Sequence, residues 1–298
     1  MVSEIKKGDM IEGYRVLAEV GRGAASIIYL VQDPKSKQIW ALKHVAKHTE
    51  KDVRFLEQAE IEYKIASEID HDSIRKIDRV IKKKSGLLNV TELFLVMEFV
   101  DGVALDRSPD TSMDLAVNIF HQVASAMYAM HRHGYVHADM KPNNIMITPG
   151  AKAIAKIIDL GQSCKVGTVK ERIQGTPDYI APEQVHRRPI TPSTDVYNLG
   201  ATMYWVFTRR HIPTAMAKGD SLVSQLDDSL IEKPKPVIEL NPQVHPRLNQ
   251  MIMQCVEIDP ANRPANMKLV ADQLDLIKAI LAAKTVPMDQ YDEPASQF

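Results

Sequence analysis

The sequence predicts an α+β fold with strands gathered at the front of the chain and helices behind them. Two patterns carry this. Five short runs rich in β-branched and aromatic residues, broken by one helical period, lie ahead of Asp101, and 3.6-residue periodicity dominates after it. A third observation sets the scale. With 298 residues, 45% hydrophobic and 25% charged, the chain can form one large domain or two lobes around a sizeable core.

Residues 1–13 read as a polar lead-in. Tyr14–Val20 and Ile27–Val31 read as strands, with Gly21-Arg22-Gly23-Ala24-Ala25-Ser26 as the hairpin turn between them. Glycines and small residues there let backbone N–H groups approach a polyphosphate with no Cβ in the way, although a plain hairpin uses the same residues. Strands on both sides exclude the strand-to-helix turn of a dinucleotide fingerprint. Asp33-Pro34-Lys35-Ser36 marks a turn. Ile39–Lys43 is a third strand with an interior lysine, which costs free energy unless it is paired or faces water. Arg54 to Ile69 has helical periodicity. Two more strands span about Lys76–Lys83 and Glu92–Phe99, joined through Ser85-Gly86, Leu87, Leu88 and Asn89. The basic run Lys82-Lys83-Lys84 reads as a solvated turn.

Behind these, Asp114–His133 is a long helix with Ser112 as its cap and apolar residues on more than one face, as in a buried scaffold helix. Asp195-Val196-Tyr197-Asn198-Leu199-Gly200 opens an apolar helix, and His245–Glu257 reads as another. In Asn266–Ala283, Met267, Val270, Leu274, Ile277 and Leu281 recur at 3-4-3-4 spacing, which reads as a core seam. From Lys284 the chain turns polar, with Pro287 and Pro294, and is expected to be a flexible tail.

Net charge is −1, so nothing in the charge balance calls for nucleic acid or an acidic membrane as the main partner, and neither is expected. The two cysteines, Cys164 and Cys255, have no metal-ligand spacing and suit a reducing compartment. Met1–Lys7 lacks the apolar core of a signal peptide. Val196–Thr208, the uncharged apolar run nearest to a membrane span, falls short of one. The expectation is a soluble cytoplasmic protein with no membrane insertion.

The chemistry concentrates in Tyr135-Val136-His137-Ala138-Asp139-Met140-Lys141-Pro142-Asn143-Asn144-Ile145. Asp139 can accept a proton, Lys141 can lie against a phosphate, and Asn144 can hold a divalent cation. Ile157-Ile158-Asp159-Leu160-Gly161 adds a second carboxylate at the end of an apolar run. Such a set suits phosphoryl transfer, which is mostly positioning and charge neutralisation.

Read as His-x-Asp-x-Lys-Pro-x-Asn and Asp-Leu-Gly, these stretches resemble the eukaryotic-like (Hanks-type) Ser/Thr protein kinases. The resemblance covers roughly residues 14 to 280. It implies a two-lobed fold over residues 14–283, ahead of a tail at 284–298. The N-lobe (14–98) would be a small antiparallel sheet with one main helix, followed by a hinge (98–102) and a mainly helical C-lobe (103–283). It also implies ATP with Mg²⁺, or Mn²⁺ in its place, and transfer to Ser/Thr hydroxyls of protein substrates, with autophosphorylation. Lys141 and Gly175-Thr176-Pro177 point to Ser/Thr rather than Tyr.

By the same resemblance, Asp139 would orient the hydroxyl and take its proton. Lys141 would neutralise the γ-phosphate, and Asn144 and Asp159 would hold the metal. Val20, Gly21, Arg22, Gly23, Ala24, Ala25, Ser26 and Ile28 would cover the nucleotide. Lys43 would hold its α- and β-phosphates, with Ala41 bordering the adenine. Glu57, Glu60 and Glu62 are candidates to pair with Lys43, and Glu62 best matches the family offset. Met97 takes the gatekeeper position, Glu98-Phe99-Val100 the hinge, and Gly102 frees the exit. His137 reads as a packed structural histidine. Thr176 would contact Asp139 and Lys141, and Glu183, in Ala181-Pro182-Glu183, would pair with Arg263. Asp195 would hold the catalytic-loop backbone or simply cap its helix.

Three positions depart from the family pattern. Ser26 replaces the third glycine, and Leu160 replaces a phenylalanine. Ala138 replaces the arginine that normally receives a phosphate on the activation segment, which the resemblance places at Gln162–Gly175. They lend support to an alternative, a pseudokinase scaffold that binds nucleotide or partner proteins. A small-molecule kinase of the aminoglycoside type ranks third, because it should lack Lys141-Pro142, the Ala181-Pro182-Glu183 close and the Asp195 helix.

Overall fold

The structure, a computed structural model, describes residues 5–85, 89–108, 111–150, 153–214, 216, 228 and 231–284. Gly86, Leu87 and Leu88 of the connection read above, the first four residues of the lead-in and the tail from residue 285 lie outside the described residues.

The front lobe is built on β1 (Met10–Ile11), β2 (Tyr14–Arg22), β3 (Ser26–Gln32), β4 (Ile39–Ala46), β5 (Ile77–Ser85) and β6 (Asn89–Glu98). They form one antiparallel sheet in the order β1-β2-β3-β4-β6-β5. Helix α1 (Val53–Glu68) crosses one face. Two-residue alternation divides the sheet's side chains. Ala41 and Val45 join Leu93, Leu95 and Met97 against Leu56 and Ala59 of α1. Leu42, Phe94 and Val96 turn to the other face, among Tyr14, Val16, Tyr29 and Val31. Lys43 shares the parity of Ala41 and Val45, so β4 delivers it to the side where α1 lies.

Two expectations for this lobe are corrected. The lead-in is not merely polar. Met10–Ile11 adds an edge strand to β2 and Ile11 is buried, the two-residue turn being made by Glu12 and Gly13 at φ 48° and 87°. The lysine run is not a turn. Lys82, Lys83 and Lys84 lie within β5, where Lys82 pairs with Glu60 (2.8 Å) and Lys83 with Glu12 (2.7 Å). Charges on an exposed strand face are ordinary, and runs of like sign persist when neighbouring strands and helices supply the opposite sign.

The rear lobe is helical among the described residues. Its helices are α2 (Met113–Arg132), the short α3 (Pro182–Val185), α4 (Pro192–Thr208), α5 (Val237–Leu240), α6 (Pro246–Cys255) and α7 (Met267–Lys284). Ser112 caps α2, its side chain accepting from the Leu115 N–H at 3.3 Å. Val117, Phe120, Ala124 and Met127 on one side of α2 and Ile119, Val123 and Met130 on another are all buried, which makes it the scaffold of this lobe. Short strands β7 (Val103–Ala104), β9 (Ile145–Ile147) and β10 (Ala155–Ile157) form one small sheet, and β8 (Tyr135–Val136) pairs with β11 (Cys164–Lys165) in another. A one-turn 3-10 helix at Leu105–Arg107 stands between β7 and α2. No helix among the described residues is long and apolar enough to cross a membrane.

Helix α4 runs through the middle of this lobe, and Gly200 lets it approach α6. A Cβ there would stand 2.6 Å from Cβ of Cys255 and 3.0 Å from Cγ1 of Val256. Alanine is worth up to about 1 kcal/mol over glycine inside a helix, but forced overpacking costs about 1–3 kcal/mol. Gly200→Ala is therefore expected to lower stability in urea denaturation. An unchanged or raised midpoint would mean that the α4–α6 contact yields easily.

Candidate active site

The loop that carries Asp139 starts from β8 and is held from below by α4. Asp195 is fully buried, and its two oxygens accept from the backbone N–H of His137 and of Ala138, each at 2.8 Å. Nε2 of His131 lies 2.8 Å from the same carboxylate. The cap of α4 is Thr191, four residues earlier, so the simple-cap reading of Asp195 does not hold. Ala138 has φ 61°, a left-handed conformation that side chains with a Cβ adopt at a cost of about 1–2 kcal/mol. Two charge-assisted bonds to Asp195 offset that cost.

Past this turn, Asp139 presents its carboxylate to two partners. Thr176 Oγ1 donates to Oδ1 at 2.8 Å, and Lys141 Nζ donates to Oδ2 at 2.9 Å. Lys141 also donates to Thr176 Oγ1 at 2.8 Å, closing a three-membered ring of contacts. Asn144 Nδ2 donates to the Asp139 carbonyl at 2.9 Å, which leaves its amide oxygen as an acceptor. His137 is buried, and its Nδ1 accepts the Asp139 N–H at 3.2 Å, while its buried Nε2 has no hydrogen-bond partner among the described residues.

Asp159 reaches the same region from β10. Ile145 pairs with Ile157, and the Ile158 N–H donates to the Asn144 carbonyl at 3.0 Å, so Asn144, just before β9, and Asp159, just after β10, stand at the same end of two antiparallel strands. From the sheet above, Lys43 Nζ donates to Glu62 Oε2 at 2.6 Å. Of the three glutamates considered, Glu62 makes this contact; Glu60 faces Lys82, and Glu57 is exposed. Burial by itself would lower the Lys43 ammonium, but Glu62 and then Asp159 hold it above its usual range. Burial would raise the Asp159 carboxyl, but Lys43 and the Gly161 N–H hold it below the carboxylate range.

Ala24, Ala25, Ser26, Lys43, Asp159 and Gly161 line one cavity, closed behind by Phe55, Gln58 and Ala59 of α1. Register explains part of this. Gly21, Ile28 and Lys43 stand opposite one another across β2, β3 and β4. Gly23 N–H donates to the Ser26 carbonyl at 2.8 Å, and a Cβ on Gly23 would meet Ser26 Oγ at 2.9 Å, a contact that the serine side chain would have to turn away to relieve. Other residues named from the sequence lie outside this cavity. Val20 is exposed, and Arg22 pairs with Glu19 at 2.7 Å. Ala41 and Met97 are buried opposite each other in adjacent strands. The Glu98 side chain turns to Lys156 at 2.8 Å, so only its backbone is left to face the cleft edge, followed by buried Val100. Gly102 packs closely on the Ile147 backbone.

The floor of the site is tied by groups of two kinds. Arg263 uses all five of its N–H donors, two of them on Glu183 at 2.8 and 3.0 Å and the rest on the Ser193, Glu257 and Ile258 carbonyls. Gln184, which the sequence reading passed over, is buried and fully bonded. Its Nε2 donates to the carbonyls of Ala138 (2.8 Å) and Gln174 (3.1 Å). Its Oε1 accepts from Ala181 N–H and from Asn198 Nδ2, each at 3.0 Å. Asn198, a polar residue inside an apolar helix, was the available signal. Ser163 is buried and donates to the His137 carbonyl. Cys164 packs near Val136, Ala138 and Ile190, away from the cavity, and burial pushes its thiol up. The Cys255 thiol is pushed up to about 12 by burial against α4.

Hard oxygen donors, Asp159 and the amide oxygen of Asn144, suit Mg²⁺ or Mn²⁺ rather than a softer metal. No group of three or more His, Cys, Asp or Glu among the described residues could cage a metal alone. A cation here would therefore share its coordination with phosphate oxygens and water.

The chain is similar in sequence to known proteins over most of its length. The chain is 25% identical over 304 residues to Serine/threonine-protein kinase PknD of Chlamydia pneumoniae, covering 89% of this chain and 31% of that protein. It is 29% identical over 282 residues to Serine/threonine-protein kinase pkn3 of Myxococcus xanthus, covering 89% and 50%. It is 29% identical over 275 residues to Serine/threonine-protein kinases drp72 of Corynebacterium efficiens, covering 89% and 49%. The chain thus spans between about a third and a half of the length of these curated relatives. Residues 14–274 match the family described as Protein kinase domain. With that match and this two-lobed fold, the chain belongs to the protein kinase domain family.

Proposed function

We propose that the chain catalyses Mg²⁺- and ATP-dependent phosphorylation of Ser/Thr hydroxyls on protein substrates, its own chain included. The observation that carries this is the joint presence of the Asp139–Lys141–Thr176 ring and the Lys43–Glu62 pair, on opposite lobes. The relatives named above are Ser/Thr protein kinases, and that supports the same reading. A pseudokinase would be expected to have lost at least one of Lys43, Asp139, Asn144 or Asp159, and all four are present.

Bound Mg²⁺-ATP supplies the transferable γ-phosphoryl group and the cation that offsets its charge. Lys43 would hold the α- and β-phosphates, its charge set by Glu62. Asn144 and Asp159 would hold the metal with oxygen donors. The backbone of Gly21–Ser26 would cover the phosphates, and that of Glu98 and Val100 would read the adenine edge beside Ala41 and Met97. Asp139 would orient the acceptor hydroxyl and take its proton at a carboxylate oxygen. Lys141, beside it, would neutralise charge on the group in transfer. The domain boundaries follow the same reading, with an N-lobe to residue 98, a hinge at 98–102 and a C-lobe to 283. Both cysteines are free thiols, which fits a cytoplasmic setting.

Asp139→Asn is expected to keep ATP binding and to lower transfer from labelled ATP to protein by about 10²–10⁴-fold. Transfer at the wild-type rate would remove Asp139 from the role of base, and no transfer by the wild type under any metal would remove the kinase reading.

The cleft charges also set a pH dependence. A raised ammonium stays charged as pH rises, and a lowered carboxyl stays charged as pH falls, so Lys43 and Asp159 are both ionised from about pH 5 to pH 9. Affinity for a fluorescent ATP analogue with Mg²⁺ should therefore change less than about threefold between about pH 7 and pH 9. A steep loss across that range would place Lys43 deprotonation inside it and contradict the pairing.

A further inference from the structure

Arg75 is a buried cation that none of the steps above uses. It lies between α1 and β5, and its backbone is fastened to the strand that leads to Asp159. The Arg75 N–H donates to the Ile157 carbonyl at 3.0 Å, and the Ile157 N–H donates to the Ser73 carbonyl at 2.8 Å. Ile74 and Ile157 form a parallel bridge. The guanidinium reaches the other way, and Nη2 donates to Glu62 Oε1 at 3.1 Å. Lys43 occupies the other oxygen, Oε2. One glutamate on α1 is therefore held by two cations, one from the sheet and one from the segment bound to the Asp159 strand.

A buried arginine is an expensive way to fill space, since an apolar side chain of similar volume is often neutral or better. Its fixed charge and planar fork suit holding a carboxylate oxygen in one place. The lysine alone would hold Glu62 less firmly. Lys43 also feels Asp159, and a polyphosphate would compete for the same ammonium. A second cation keeps Glu62 seated when Lys43 turns to a ligand. Because Arg75 is fastened to Ile157, it also fixes α1 relative to Asp159. Neither contact involves the segment after Gly161, and the Ala138 methyl has no charge or donor with which to receive a phosphate from that segment.

We propose that Arg75 is a positioning residue that holds Glu62, and through it α1 and Lys43, in register with Asp159, so that the cleft is assembled without an activation-segment phosphate. The proposal rests on the kinase reading above. Its test uses phosphatase-treated wild type, Arg75→Met, Arg75→Lys, and Arg75→Met combined with Glu62→Gln. Two quantities are read: kcat and KM for Mg²⁺-ATP in autophosphorylation and casein phosphorylation, and hydrogen exchange of the α1 amides without nucleotide.

Arg75→Met should lower kcat/KM about tenfold, Arg75→Lys should recover part of it, and the loss should shrink to about twofold or less once Glu62→Gln is present. Exchange over Val53–Glu68 should be faster in Arg75→Met than in wild type. Should Arg75→Met fail to fold, Arg75→Gln replaces it with the same expectations. Wild-type kcat/KM in the variant, the same loss with and without the Glu62 carboxylate, or unchanged α1 exchange would each overturn the proposal. If treated wild type transfers no phosphate until it is rephosphorylated, the claim of assembly without that phosphate is also overturned. If it transfers none in any state, the kinase reading fails instead. The exchange comparison then decides the Arg75 clamp alone, faster exchange upholding it and equal exchange overturning it.

Discussion

A carboxylate with no exposed surface sets the geometry on which the rest of the site depends. Asp195 sits in the first turns of α4, a helix buried along most of its length. It accepts two backbone N–H groups from a turn that would otherwise be disfavoured, because Ala138 sits at φ 61°. Relaxation of that turn would move Asp139 and its contacts with Lys141 and Thr176. A charged acceptor that has lost its water gives strong, directed bonds only while its partners stay in place. Gln184 secures the same turn from the other side by bonding the Ala138 carbonyl and the Gln174 carbonyl together. The loop that carries Asp139 is thus pinned on both its N–H and C=O sides, by groups carried on α4 and α3.

Above the loop, the cleft is a balance of buried charges rather than a patch of one sign. Lys43 and Arg75 face Glu62 and Asp159, two against two. Each would be costly alone in this setting, and each is compensated by a neighbour from a different element. Lys43 comes from the sheet, Glu62 from α1, Arg75 from the α1–β5 segment, and Asp159 from the strand pair of the rear lobe. The same contacts that settle the electrostatics therefore tie the two lobes together. Tyr135 Oη donating to Glu68 at 2.7 Å and Lys156 pairing with Glu98 at 2.8 Å add polar ties at other points along the boundary.

Much of this was legible in the sequence, for reasons that differ by residue. Lys43 stood out because a lysine inside an apolar strand needs an explanation, and strand parity then placed it on the α1 side. Asp139, Lys141, Asn144 and Asp159 form a short-range pattern whose spacing survives folding unchanged. Glu62 was one of four acidic residues on α1, and its offset within the family pattern set it apart from the other two candidates, Glu57 and Glu60. Other features depend on partners far away in the chain. Arg75 lies in Ser73-Ile74-Arg75-Lys76-Ile77, where nothing local marks one cation as buried and the next as exposed; Glu62 and Ile157 decide it. The edge strand at Met10–Ile11 is too short to show periodicity and exists because β2 offers a free side. The lysine run became strand because Glu12 and Glu60 meet it.

The central proposal is that this balanced cleft takes a nucleotide together with its metal, through Asp159. Calorimetric titration of ATP with and without Mg²⁺, on wild type and on Asp159→Asn, tests it most directly. The account predicts that Mg²⁺ tightens ATP binding to wild type about tenfold or more and that Asp159→Asn loses most of that gain. Equal wild-type affinity in the presence and absence of the metal would contradict it.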